Sequence, residues 1–247
     1  MPVRCWRRHP ATIFASMANQ ENVNMDSLFR RTLQAALARS AALIVVAGMA
    51  AGAGSALAQA KAESKAPATA GTQTAVFAGG CFWGVDAVFK HVKGVSEVVS
   101  GYAGGAANTA HYEMVGMGNT GHAESVRVRF NPAQVTYQQL LNVFFTVAHD
   151  PTQLNRQGPD SGSQYRSAIF YTDGEQQKAA QTLIQKLTAE RTFGKPVVTQ
   201  VVPLQAFYPA EDYHQNYLAL HPDQPYIVIN DIPKVTQLRL QFPALYQ

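Results

Sequence analysis

The sequence predicts one two-layer α+β domain that runs from about Thr74 to the C-terminal end. Short strand-like runs alternate with amphipathic helix-like runs along this part, and no internal repeat divides it. The part is also long enough to bury a single core. We therefore expect strands and helices packed in two layers, with candidate functional groups in the connecting loops.

The first predicted elements are a strand, a bend and a helix. Residues 74–78 are typical of a short buried strand, and the glycines at 79 and 80 are typical of a tight bend. Residues 85–90 begin a helix whose apolar residues follow the 3.6-residue period. This order places Cys81 near a helix N-terminus.

The later elements follow from the same periodicities. Thr136 and Gln139 form a capping box before a helix with one apolar face, and loops at 101–109 and 149–164 are rich in turn residues. In chain order we predict strand 95–102, strand 123–130, helix 136–148, strand 165–171, a helix from 173 to about 191, strand 197–202 and a last helix 209–220.

The composition of the first 73 residues predicts export. A stretch with arginines, an apolar core at 41–54 and the A-x-A pattern at 56–58 form a signal peptide over 25–58, and this core is short for a bilayer span. Residues 1–24 match no part of a signal, so we expect translation to start at Met25. We expect 59–73 to be a flexible linker and the location to be the periplasm, without membrane insertion after cleavage. A retained N-terminal anchor is the alternative.

The basic charge belongs to the predicted signal. The formal net charge is +4, and residues up to Ala58 hold six arginines against two acidic residues, whereas the rest holds 14 basic and 14 acidic residues. The mature part is close to neutral, which argues against nucleic acid or an anionic membrane as a partner.

The cysteines also divide between the two parts. Cys5 precedes the signal and Cys81 lies in the domain, so the mature chain has no internal disulfide and its thiol is either inert or reactive. The free N–H groups and positive dipole end of a helix N-terminus lower a thiol pKa, and Phe82 and Trp83 can wall an apolar pocket. The alternative is a buried structural cysteine among core aromatics.

A second chemical feature is Glu124, which shares one face of the predicted strand 123–130 with Val126 and Val128. Burial on that face would raise the pKa of the carboxyl, so that it keeps a proton near neutral pH and can act as a general acid. The alternative is that Glu124 lies in water at the frayed end of the strand and has no role.

Polar candidates also occur in two loops. Tyr112 lies between a histidine and a glutamate, and the segment 158–167 contains Asp160 and Tyr165. Taken singly, each is more typical of a turn than of a site. The histidines lack metal-ligand spacing, and no zinc, phosphate-loop or dinucleotide motif occurs, so we predict no bound metal, nucleotide or flavin.

The segment Gly80-Cys81-Phe82-Trp83-Gly84 is followed by five more whose order and spacing are informative. They are GYAGG from Gly101, GHAE from Gly121, HDP from His149, QYRS from Gln164 and AEDYHQ from Ala210. Together they resemble the successive motifs of A-type peptide methionine sulfoxide reductases. The resemblance implies a ferredoxin-like α/β sandwich with a mixed sheet, and reduction of the S epimer of methionine sulfoxide, free or in proteins.

The same resemblance implies roles for the residues singled out above. Cys81 is the nucleophile and becomes a sulfenic acid, and Phe82 and Trp83 hold the S-methyl group of the substrate. No cysteine follows Cys81, so an internal resolving thiol is missing and an external thiol or a thioredoxin-like donor must reduce the sulfenic acid.

The remaining implied roles concern the sulfoxide oxygen. Glu124 protonates it, Tyr112 and Tyr165 assist by hydrogen bonding, and Asp160 helps to organise the site and its regeneration. Two other functions stay open: a peroxide-reducing thiol enzyme, and a non-catalytic module that binds oxidised methionine. Without a long apolar heptad or a second domain, a monomer is expected.

Overall fold

The computed structural model describes residues 71–247. The predicted signal peptide, Cys5 and nearly all of the predicted linker lie outside these residues. A six-stranded sheet has the order β7-β6-β1-β3-β2-β8, with only β6 and β7 parallel among its neighbouring pairs. Its strands are β1 (Gln73–Gly79), β2 (Val95–Ala103), β3 (Ala123–Phe130), β6 (Ser167–Tyr171), β7 (Gln200–Pro203) and β8 (Phe207–Pro209), and β4 (Arg156–Gln157) pairs with β5 (Asp160–Ser161) in a separate ribbon.

Helices and tight turns connect these strands. The helices are α1 (Phe82–Lys90), α2 (Tyr112–Val115), α3 (Tyr137–Val143), α4 (Gly174–Ala189), α5 (Tyr217–Leu220) and α6 (Ile232–Gln241). Single turns of 3₁₀ or π geometry occur at Ala107–Thr109, Phe144–Ala148, Ser163–Tyr165, Asp212–His214 and Ile227–Asp231. In the part that the structure describes, no helix has the length and apolar character needed to cross a membrane.

The α+β class predicted from the sequence is confirmed. The chain runs β1-α1-β2-β3-α3 before β6, and Phe77 on β1 stacks on Phe89 of α1 and on Phe144 after α3, with ring centroids 5.1 and 4.9 Å apart. Stacked rings of this kind bury large apolar area. Helices from both crossovers therefore cover the face of the sheet on which Phe77 lies.

Helix starts agree with the capping signals. The Thr136 side chain accepts from the Gln139 N–H, and the Gln139 side chain accepts from the Thr136 N–H at 2.8 Å, as a capping box requires. Asp173 caps α4 by accepting from the Gln176 N–H at 2.8 Å. The predicted starts of these two helices are therefore confirmed.

The prediction of a last helix over 209–220 is wrong. Pro209 ends strand β8, Asp212–His214 form a 3₁₀ turn, and only Tyr217–Leu220 are helical. Asn216 has a left-handed backbone with φ of 54°, which interrupts a helix. The real last helix is α6, where Pro233 near the N-terminus is compatible with helix geometry.

Candidate active site

Cys81 lies where the predicted bend meets the helix. It is the N-cap residue of α1, it is 2% exposed, and it forms no disulfide with any of the described residues. Gly80 before it has φ of +93°, and a Cβ there would lie 2.4 Å from the Cβ of Gln157. Only glycine fits this turn without strain, so the bend fixes where the thiol meets the helix N-terminus.

Glu124 lies next to Cys81. Its side chain is 2% exposed, and Oε2 accepts a hydrogen bond of 3.1 Å from the Phe82 N–H, the amide that directly follows Cys81. The alternative of a solvated carboxyl at a frayed strand end is therefore wrong. Burial disfavours charge on this carboxyl, whereas the amide N–H favours it.

The aromatic residues after Cys81 are held by several contacts. Trp83 stacks on Tyr217 with ring centroids 3.7 Å apart, and its Nε1–H donates to His214 Nδ1 at 3.2 Å. Phe82 lies against His214 and Tyr102, with centroids 5.0 and 5.9 Å apart. Trp83 and Phe82 are each 1% exposed, so their rings have fixed positions beside the thiol.

His214 belongs to this cluster, although no role was predicted for it from the sequence. Burial lowers its pKa to about 4, against a smaller opposite effect of Glu211. The imidazole is therefore neutral near pH 7, and its Nδ1 accepts from the indole, so Nε2 carries the proton. Its only sequence signal is its place in the AEDYHQ segment.

Tyr112 is brought to the same cluster by Glu211. The Tyr112 N–H donates to Glu211 Oε1 at 2.9 Å, the Tyr102 hydroxyl donates to Oε2 at 2.8 Å, and the Tyr112 ring lies 4.4 Å from that of His214. Although burial opposes it, these hydrogen bonds hold the pKa of Glu211 below its usual value. An ionised Glu211 thus anchors the start of α2 beside His214, the hydrogen-bond partner of the Trp83 indole.

Tyr165 lies on a segment that adjoins the end of α2. It ends the turn Ser163–Tyr165 and is 7% exposed. Ser163 Oγ donates to the Gly118 carbonyl at 2.6 Å, and Gln164 Nε2 donates to the Gly116 carbonyl at 3.2 Å. These bonds tie the segments that carry Tyr112 and Tyr165 together.

Asp160 lies on β5 and accepts a hydrogen bond from the hydroxyl of Tyr226. Burial raises the pKa of Asp160, while the Tyr226 hydrogen bond and the charge of Lys234 oppose the rise. Burial and the nearby charges of Cys81, Asp160 and Asp231 raise the pKa of Tyr226, so its hydroxyl stays a donor. The Tyr226 ring also meets Trp83 edge-on at 6.0 Å.

Tyr226 was not predicted, because no motif marks the C-terminal segment that carries it. The structure links Glu124, Tyr112 and Asp160 to α1: Glu124 bonds to the Phe82 N–H, and Tyr112 and Asp160 reach Trp83 through His214 and Tyr226. Among residues 71–247, no group of three or more His, Cys, Asp and Glu side chains is arranged to hold a metal ion.

A cysteine thiol at a helix start, a buried carboxyl beside it and a rigid aromatic pair define a thiol-dependent enzyme on an α+β domain. The sequence model of the peptide methionine sulfoxide reductase family matches residues 73–244, and the chain belongs to this family. It is 58% identical over 179 residues to a peptide methionine sulfoxide reductase MsrA 2 of Mesorhizobium japonicum, covering 72% of this chain and 92% of that protein. It is 51% identical over 172 residues to another MsrA 2, from Synechocystis, covering 70% and 80%.

Solved structures agree with this assignment. The reduced form of Mxr1 from Saccharomyces cerevisiae matches with a TM-score of 0.58 and 32% identity, covering 62% of this chain and 87% of that one. Methionine sulfoxide reductase A of Corynebacterium diphtheriae matches with a TM-score of 0.55 and 35% identity, covering 63% and 77%.

Proposed function

We propose that this chain reduces the S epimer of methionine sulfoxide, free or in proteins, to methionine, with Cys81 as the nucleophile. The observation that carries the proposal is the 3.1 Å hydrogen bond from the Phe82 N–H to Glu124 Oε2, which places a buried carboxyl at the residue that directly follows the Cys81 thiol. A sulfoxide oxygen leaves poorly as oxide, so thiolate attack on the sulfoxide sulfur needs a proton donor at that oxygen.

Glu124 is the proton donor in this mechanism. The Cys81 thiolate attacks the sulfoxide sulfur while the oxygen takes the proton from Glu124. This attack joins the Cys81 sulfur to the substrate sulfur. The hydroxyl then moves from the substrate sulfur to the Cys81 sulfur while the sulfur–sulfur bond breaks and leaves an electron pair on methionine. The products are methionine and a Cys81 sulfenic acid, so the sulfoxide is reduced and the thiol is oxidised. The hydroxyls of Tyr112 and Tyr165 support the oxygen by hydrogen bonding.

The aromatic pair accounts for the epimer. Phe82 and Trp83 hold the S-methyl group, and the contacts of Trp83 with Tyr217 and His214 fix that position. With the methyl group on this side and the oxygen toward Glu124, only one handedness at sulfur leaves the third substituent, the methionine chain, free to extend outward. Asp160 organises the pocket through Tyr226, whose ring edge meets Trp83.

The sulfenic acid is recycled from outside the chain. No cysteine follows Cys81 in the sequence, so the thiol of a small molecule or of a thioredoxin-like protein attacks the sulfenic sulfur, forms a mixed disulfide with Cys81 and releases water. A second donor thiol then attacks the donor sulfur of this disulfide, which completes the donor's own disulfide and releases the Cys81 thiolate. The proposal also covers location and assembly. The signal at 25–58 is removed during export, and the domain acts in the periplasm as a monomer. The β1-α1-β2-β3-α3-β6 order supports the ferredoxin-like class for the domain.

The first experiment is turnover on the separate S and R epimers with dithiothreitol. We expect reduction of the S epimer alone, its loss in Cys81→Ser, and a fall of about 10²-fold or more in Glu124→Gln. Glu97→Gln, an exposed glutamate on β2 paired with Arg129 at 3.6 Å, is the matched control and should keep full activity. Full sulfoxide turnover in Glu124→Gln would refute the proton-donor role.

The two alternatives give different results in the same assay. A peroxide-reducing enzyme would reduce peroxide but neither sulfoxide epimer, and would be insensitive to Glu124→Gln. A binding module would bind sulfoxide without turnover. With substrate and no reductant, mass spectrometry should show one added oxygen on Cys81, whereas a Cys5–Cys81 disulfide in the full chain would contradict external recycling.

A further inference from the structure

A cation from the C-terminal helix lies at the first turn of α1. Lys234 on α6 pairs with Asp231, with Nζ 3.2 Å from Oδ1. Both groups reach Gly84, since a Cβ built there would lie 2.1 Å from Asp231 Oδ1 and 2.8 Å from Lys234 Nζ. Gly84 is the third helical residue of α1, about one helical turn after the N-cap residue Cys81.

The neighbouring charged groups belong to the same cluster. Asp231 is fully buried, and its Oδ2 has no hydrogen-bond partner among the described residues. The charge of Lys234 acts on Asp160 and on His149, and Tyr226 is affected by the charges of Cys81, Asp160 and Asp231. The cation and the thiol therefore share one electrostatic environment.

We propose that Lys234 is a positioning residue for the Cys81 thiolate: its ammonium adds positive charge at the start of α1, and Asp231 holds that ammonium in place and partly cancels its charge. The inference rests on the proposed role of Cys81 as nucleophile. It gives the C-terminal segment, which contains no cysteine, a role in lowering the pKa of the Cys81 thiol.

The proposal predicts opposite effects of the two partners. Over about 6 Å and at an effective dielectric constant of about 40, one unit charge shifts a pKa by about one unit. Lys234→Met should therefore raise the pKa of the Cys81 thiol by about one unit. Asp231→Asn keeps the ammonium and removes the cancelling charge, so it should lower that pKa. A merely structural pair would not give opposite signs.

The test measures thiol ionisation in the full chain carrying Cys5→Ser, so that Cys81 is the only thiol. The readouts are the ultraviolet absorbance of the thiolate and the rate of alkylation by iodoacetamide across pH. Below the thiol pKa, Lys234→Met should be alkylated about tenfold more slowly, whereas Lys234→Arg should match the parent. Lys234→Gln provides the same test if the methionine variant does not fold.

The far end of α1 provides a matched control. Lys90, the last residue of α1, pairs with Asp86 at 2.8 Å, and the rise of the helix separates Lys90 from Cys81 by roughly 13 Å, more than a Debye length. Lys90→Met should leave the thiol titration within about 0.3 unit of the parent.

An unshifted titration in Lys234→Met, or a rise of the thiol pKa in Asp231→Asn, would overturn the inference. Equal shifts in Lys90→Met would also overturn it. Alkylation does not require sulfoxide turnover, so this failure differs from failure of the proposed function, which would appear as no S-epimer reduction by the parent enzyme.

Discussion

Replacing Gly84 by alanine should destabilise the fold, although helix propensity alone favours alanine by about 1 kcal/mol. The added Cβ would lie 2.1 Å from Asp231 Oδ1, and Asp231 is fully buried. The carboxylate can yield only by repacking, at about 1–3 kcal/mol, and by weakening its ion pair with Lys234, which costs about 3–5 kcal/mol when a buried pair is broken outright. Because the Lys234 side chain is 20% exposed, both costs should lie at or below the low ends of these ranges. After the gain in helix propensity is subtracted, we expect the free energy of unfolding to fall by about 2 kcal/mol.

Urea unfolding of the full chain measures this loss, which corresponds to a fall in Tm of about 4–8 °C. Gly174→Ala is the control, because Gly174 also lies in a helix and a Cβ there meets no heavy atom within 4 Å. In the Asp231→Ala background the cost of Gly84→Ala should shrink. A Gly84→Ala protein as stable as the parent would refute the reasoning, because propensity would then outweigh the contact.

Other contacts around the site give further predictions. Tyr226→Phe removes the donor to Asp160, so we expect a loss of about 1.5–3 kcal/mol in urea unfolding, with a higher pKa of Asp160 in the pH profile of turnover; an unchanged profile would exclude coupling. His214→Leu leaves the Trp83 indole N–H unpaired and should mainly weaken substrate binding. The factor by which KM for the S epimer rises should be roughly ten times the factor by which kcat falls. Burial lowers the pKa of His149 and of His214 to about 4. Each histidine therefore contributes up to about 3 kcal/mol of stability that is present above about pH 6.5 and is lost as pH falls toward about 4. Between about pH 7 and pH 5, the free energy of unfolding in urea should fall less for His149→Gln than for the parent.

The sequence predicted the local geometry of the two central groups well. Cys81 at a helix start follows from two glycines before an apolar helix period, and the turn is held by the left-handed Gly80. The sequence also predicted the burial of Glu124, from its place on the face of Val126 and Val128, although residues 123–126 of β3 are in fact buried on both faces. Their meeting does not follow from either pattern, because it depends on how β1 and β3 pair and how α1 crosses the sheet.

The C-terminal contributions could not be predicted in the same way. Tyr226, Asp231 and Lys234 act through contacts with α1 and β5 that are distant in sequence. The helix that carries Lys234 is mostly exposed, with Leu238 its only fully buried residue, so its apolar period is weak. Asn216 has the left-handed backbone that separates the turn Asp212–His214 from α5, where a continuous helix was predicted, and no sequence signal distinguished it from a helical asparagine.

The burial of Cys81 constrains how an external thiol can recycle it. Because Cys81 is 2% exposed, the donor thiol must reach its sulfur by the same approach that the sulfoxide uses in the first half of the proposed reaction. Substrate and reductant must then occupy the site in turn, with methionine leaving before the donor thiol arrives. A small thiol, or a cysteine that protrudes from a thioredoxin-like protein, meets this steric demand. The ammonium of Lys234 at the same helix start favours such a donor as its thiolate, so one charge serves both half-reactions.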